Sequence, residues 1–70
     1  MNFPKASILI PVYNRQELIA ETIDSALSQT YSNIEVIIVD NASTDNTWNV
    51  IQAYEEKDDR IKAFRNESNI

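Results

Sequence analysis

Residues 34–45, Ile34-Glu35-Val36-Ile37-Ile38-Val39-Asp40-Asn41-Ala42-Ser43-Thr44-Asp45, decide how this chain folds. Five of the first six are apolar, and all five are β-branched. A run of this length and kind reads as a strand buried on both faces, as in a parallel sheet. The switch at Asp40 to a polar cluster reads as a loop leading into a helix. Asp40 therefore stands at the carboxyl end of a core strand. In open α/β sheets, ligands bind at that end.

Upstream, Ala6 to Tyr13 (ASILIPVY) is a second strand candidate, apolar at Ile8, Leu9, Ile10 and Val12. Pro11 has no N–H to give a ladder, so pairing is expected to stop near Ile10. Asn14 and Glu17 have the spacing of a capping box. Leu18, Ile19, Thr22, Ile23, Ala26 and Leu27 then recur every three or four residues. They mark one face of a helix from about Arg15 to Gln29. Thr30 to Asn33 is a short polar connection.

Downstream, Ser43 or Thr44 is expected to cap a second helix, with Asp45 in its first turn, where a negative charge suits the helix dipole. Trp48, Ile51 and Tyr54 form its apolar stripe. It should end near Lys57, before the charged turn Lys57-Asp58-Asp59-Arg60. Ile61 to Phe64 is a third, shorter strand, and Asn66 to Ile70 a polar tail.

The order is β-α-β-α-β, which predicts an α/β fold with a three-stranded parallel sheet and right-handed crossovers. Sequential strands would lie in the order 3-2-1, with both helices on one face. The other face, and the open edge of the first strand, would be left as bare hydrocarbon and unpaired backbone. Such a sheet is half of a fold, so residues 1–70 are expected to be a single partial domain. The uncovered face or edge could also drive self-association into a homo-oligomer, which is the non-catalytic alternative: an interaction module.

Composition narrows the function. The chain has 70 residues, 43% of them hydrophobic, and a net charge of −5 from 11 acidic and 6 basic residues. A phosphate backbone would on average be repelled, so nucleic acid is not an expected partner. No apolar run reaches the ~20 residues of a membrane span. Cysteine and histidine are absent. No disulfide can staple the fold, and a structural zinc site is disfavoured. Absent cysteine fits a cytoplasmic protein. Glycine is absent too. That excludes both the Rossmann GxGxxG turn and the P-loop, each of which needs glycine for close approach to phosphate.

Taken together, PVYN after an apolar strand, S-x-x-x-Q-T-Y-x-N-I-E, and an apolar strand ending V-D-N-x-S-T-D-x-T resemble the start of a family 2 glycosyltransferase with the GT-A fold. The resemblance runs from Ser7 to about Ile70. It implies the Rossmann-like half of a GT-A domain, which binds the nucleotide of a nucleotide-sugar donor. Carried over, Pro11, Val12 and Tyr13 would line base and ribose, and Asp40 and Asn41 would face the base. A pyrimidine edge offers an N–H between carbonyls. A carboxylate can accept from it, and an amide can accept and donate. Asn41 stands where many members carry a second Asp. Full-length members use Mg²⁺ or Mn²⁺ through a downstream D-x-D, and a catalytic base lies further on. The chain has neither, so no metal ligand and no catalytic residue is expected within it. Asn66 to Ile70 resembles the segment just before a family glycine. The expectation is thus the donor-binding part of a longer enzyme of cell-surface polysaccharide synthesis, inactive by itself, cytoplasmic or at a membrane periphery.

Each of these residues also has a plainer role. Asp40 suits a strand-ending turn. Asn41 tolerates unusual turn dihedrals. Tyr13 suits a sheet rim. Asp58 and Asp59 follow a helix in a charged turn and are not read as a metal pair. Trp48 and Tyr54 are expected in the core. A receiver-like phosphoacceptor domain would need an acidic pair where Pro11, Val12 and Tyr13 stand.

Overall fold

The computed structural model describes residues 6–28 and 33–67. Its elements are β1 (Ala6–Val12), α1 (Ile19–Leu27), β2 (Ile34–Asp40), α2 (Thr47–Lys57) and β3 (Ile61–Arg65). The three strands form one parallel sheet in the order β1-β2-β3. β2 lies in the middle, as its apolar run requires.

β2 alternates buried and half-buried residues. Ile34, Val36, Ile38 and Asp40 face the helices, and Glu35, Ile37 and Val39 face the other way. Ile34, Val36 and Ile38 join Val12, Ile19, Ile23, Ala26, Ile51 and Ile61 in one apolar cluster. Trp48 and Tyr54 pack against that cluster but are only partly buried. The opposite face is open among the described residues. Leu9 remains 64% exposed and Phe64 57%. The expected three-stranded parallel sheet with its helices on one face is the one observed.

Three local expectations are corrected. β1 continues through Pro11 to Val12, which pairs with Asp40. The bonds from Ala6 N to the Asn33 carbonyl and from Asn41 N to the Val12 carbonyl turn the even-numbered residues of β1 toward β2. Pro11 falls on the odd parity, at the outer edge, where no ladder donor is needed. Second, the capping box of Asn14 and Glu17 does not form. The turn before α1 is closed by the Arg15 carbonyl, which accepts from the amides of Leu18 and Ile19 at 3.0 and 2.8 Å. The N-cap position is Leu18, without a side-chain cap bond. Third, neither Ser43 nor Thr44 caps α2. Asp45 bonds the Thr47 amide at 2.9 Å, just outside the helix. Gln29, residues 30–32 and residues 68–70 lie outside the described residues.

α2 ends at Lys57, and the charged turn follows. Asp58 accepts bonds from the Arg60 amide at 2.9 Å and from the Arg60 Nε and Nη2 at 3.0 and 2.8 Å. The Arg60 side chain, more than its amide, draws the Asp58 carboxyl down to about 2. Asp45 is also lowered, first by the Thr47 hydroxyl. A depressed folded-state pKa stabilises fully above the unfolded value, and that stability is lost as pH falls through the folded one. For Asp58 the window runs from 3.8 down to about 2. The thermal midpoint is thus expected to fall on acidification from about pH 5 to about pH 2, and Asp58→Asn to show a smaller fall. An equal fall in both proteins would remove Asp58 from that account.

Candidate nucleotide site

The carboxyl tips of all three strands lie side by side. Val12 pairs with Asp40, and Asp40 with Arg65. The chain continues from β1 into Tyr13 and from β2 into Asn41, and Asn41 N donates to the Val12 carbonyl at 2.9 Å. A shallow groove of about 220 Å³ lies at these tips, lined by Pro11, Val12, Tyr13 and Asn41. Four of the five residues expected from the sequence thus share one depression.

The fifth, Asp40, does not line it. Asp40 shares the parity of Val36 and Ile38, so its side chain turns to the helix-covered face and is 0% exposed. Its Oδ1 accepts a short hydrogen bond from the Ser43 hydroxyl. Its Oδ2 takes no hydrogen bond among the described residues and lies 3.5 Å from Arg65 Nε. Arg65 also donates to the Ser43 carbonyl at 2.8 Å, and its guanidinium sits 5.9 Å from the centre of the Trp48 ring. A buried carboxylate needs such partners, because an unpaired one is costly. Asp40 therefore lies beneath the groove, bonded through Ser43 to the loop that carries Asn41.

β3 completes this end of the sheet. Asn66 donates from its amide to the Asp40 carbonyl at 2.9 Å, and from Nδ2 to the Asn41 Oδ1 at 3.2 Å. Neither Arg65 nor Asn66 emerges from the sequence reading. Their one signal is position: both follow an apolar strand whose tip aligns with Asp40 once the strands are set in register.

The loops after β1 and β2 are laced together by side chains. The Asn14 amide donates to Ser43 Oγ at 2.8 Å. The Asn14 side chain donates to Thr44 Oγ1 at 3.2 Å and accepts from the Thr44 amide at 2.8 Å. The Arg15 amide donates to Thr47 Oγ1 at 2.8 Å, and the Asn46 amide to Gln16 Oε1 at 2.9 Å. Asn14 and Ala42 both have positive φ, 48° and 62°. Asn accommodates that region through its short polar side chain, whereas Ala42 carries the steric cost that a glycine would avoid.

No group of three or more acidic side chains converges among the described residues. Asp58 is committed to Arg60. No helix among the described residues is long and apolar enough to cross a membrane.

The family model described as glycosyl transferase family 2 matches residues 7–69. The chain is 52% identical over 60 residues to the UDP-Glc:alpha-D-GlcNAc-diphosphoundecaprenol beta-1,3-glucosyltransferase WfaP of Escherichia coli, covering 86% of this chain and 23% of that one. It is 40% identical over 65 residues to the GalNAc(5)-diNAcBac-PP-undecaprenol beta-1,3-glucosyltransferase of Campylobacter jejuni, covering 93% and 21%. Among solved structures, the mannosyltransferase PcManGT from Pyrobaculum calidifontis, in complex with GDP-Man and Mn²⁺, superposes with a TM-score of 0.85 at 28% identity, covering 97% of this chain and 21% of that one. Residues 1–349 of S. aureus TarS give a TM-score of 0.81 at 32% identity, covering 94% and 20%. The chain thus spans about a fifth of the length of these relatives.

Proposed function

Because the chain belongs to the family 2 glycosyltransferases, we propose that it is the donor-binding part of a GT-A domain and that its strand tips hold the nucleotide of a nucleotide-sugar. The observation that carries this reading is the meeting of Pro11, Val12, Tyr13 and Asn41 in one groove at the carboxyl ends of two adjacent parallel strands. That is where α/β sheets receive ligands. Pro11 and Val12 offer apolar contact, and Tyr13, 40% exposed, offers a ring face for a base. The Asn41 amide matches a pyrimidine edge, where an N–H stands between carbonyls. Asp40, beneath the groove, serves the site by holding the loop that carries Asn41.

In the whole protein, the sugar would pass from a nucleoside diphosphate to an acceptor. The E. coli and C. jejuni relatives are named for undecaprenol-linked acceptors. The full enzyme is read in the same way, as a polysaccharide-type transferase working in the cytoplasm at a membrane surface. PcManGT is described with Mn²⁺ as well as its donor. A divalent ion, Mg²⁺ or Mn²⁺, would be held by residues outside this chain and would offset charge on the leaving diphosphate.

The test is titration of the chain with UDP, dTDP and GDP, followed by amide NMR. UDP and dTDP are expected to shift the amides of Tyr13 and Asn41, at an affinity on the order of 1 mM, since the diphosphate has no metal to hold it. Asn41→Ala should weaken UDP by about fivefold, the value of one hydrogen bond of about 1 kcal/mol. Amides at Tyr13 and Asn41 that stay fixed under saturating nucleotide would overturn the reading.

A further inference from the structure

We propose that Asn14 is a positioning residue for this nucleotide site: it sets the separation of Tyr13 and Asn41 by tying the loop after β1 to the loop after β2. The inference rests on the reading of the groove given above and extends it to a residue that does not line the groove. Asn14 follows Tyr13 directly. Its partners, Ser43 and Thr44, lie two and three residues beyond Asn41.

The plain role for Asn14 would be a helix cap. That role is vacant, since the N-cap position of α1 is Leu18. Asn14 instead sends its side chain across to the other loop. The Thr44 amide donates to Oδ1 at 2.8 Å, and Nδ2 donates to Thr44 Oγ1 at 3.2 Å. The Asn14 amide donates to Ser43 Oγ at 2.8 Å, and that hydroxyl in turn donates to the buried Asp40. One residue therefore ties the β1 tip to Ser43, the partner of buried Asp40, and to Thr44 in the loop that carries Asn41. The positive φ of Asn14 turns the chain so that backbone and side chain can both reach across. A residue with a Cβ and no polar tip would meet a steric cost here without gaining the bonds.

The side-chain bonds are solvent-exposed, so their contribution to overall stability is small. Their effect should fall on geometry, and hence on ligand affinity. The natural probe is UDP, titrated against the full 70-residue chain with the affinity read from NMR signals of the folded species. Read that way, affinity does not depend on how much protein is folded. Asn14→Gly keeps the left-handed turn and deletes the side-chain bonds to Thr44. It is expected to weaken UDP about tenfold, as the loss of two modest hydrogen bonds would. Asn14→Asp keeps the acceptor for the Thr44 amide and should stay within about threefold of the original chain. Thr44→Val, at an exposed position, deletes the contacts of the Thr44 hydroxyl with Asn14 Nδ2 and Oδ1 and keeps the bond from the Thr44 amide. It should weaken UDP by about threefold, and it decides the matter if Asn14→Gly does not fold.

Equal UDP affinity in Asn14→Gly and the original chain would overturn the positioning role and leave the nucleotide site standing. So would unchanged affinity in Thr44→Val where Asn14→Gly is unfolded. If the original chain leaves Tyr13 and Asn41 unmoved in UDP, the nucleotide site itself fails, and the role of Asn14 fails with it.

Discussion

Asp40→Ala is expected to remove a large share of the stability of the chain. The side chain is fully buried, and its removal strands the Ser43 hydroxyl and takes the counter-charge from Arg65. Breaking a buried ion pair costs about 3–5 kcal/mol when the remaining charge stays buried. Arg65 keeps 44% of its side chain exposed and can turn toward water, so the lower part of that range applies here. A chain of this length is held by only about 3.5–10 kcal/mol in total. A loss of about 3 kcal/mol therefore takes a large share of it. Asp40→Asn keeps the shape and an acceptor for Ser43, and should cost about 1 kcal/mol. Urea unfolding followed by the single tryptophan, Trp48, separates the two variants. If Asp40→Ala unfolds at nearly the urea concentration of the original chain, the carboxylate is not the keystone of the loop.

The second large effect belongs to the middle of the sheet. Ile38 is fully buried and pairs with Ile10 on one side and Ala63 on the other. Ile38→Ala removes three carbons from the side chain at the helix-covered face, and the neighbouring strands are too constrained to close the gap. The expected cost is about 3–4 kcal/mol, from lost burial and the residual cavity. On the open face, Phe64 is 57% exposed, and Phe64→Ser should change stability by less than about 1 kcal/mol. The contrast is the measurement. Comparable losses at the two sites would mean that something covers the second face in solution.

The order of elements was legible because hydrophobic periodicity is a local property. The run Ile34–Val39 could only be a covered strand, and the stripes through Ile19, Ile23 and Ala26 and through Trp48 and Ile51 could only be helices lying on it. The positions of Tyr13 and Asn41 at one end of the sheet followed from the β-α-β order, since parallel strands align their carboxyl ends. The caps were not legible in the same way. Asn14 and Glu17 match a capping box by spacing, but a cap competes with every other partner within reach. Here Thr44, thirty residues away in sequence, took the Asn14 side chain.

The sequence alone therefore determined the α/β order, the sheet with one covered face and the placing of Tyr13 and Asn41 at one end of it, because each depends on residue type and short-range spacing. Tertiary structure alone decided which side chain at the tip of β2 lines the groove and which supports it. Strand parity sent Asp40 inward to Ser43 and Arg65 and left Asn41 at the groove. No local pattern carries that choice, since it depends on which face the helices cover and on where the third strand ends.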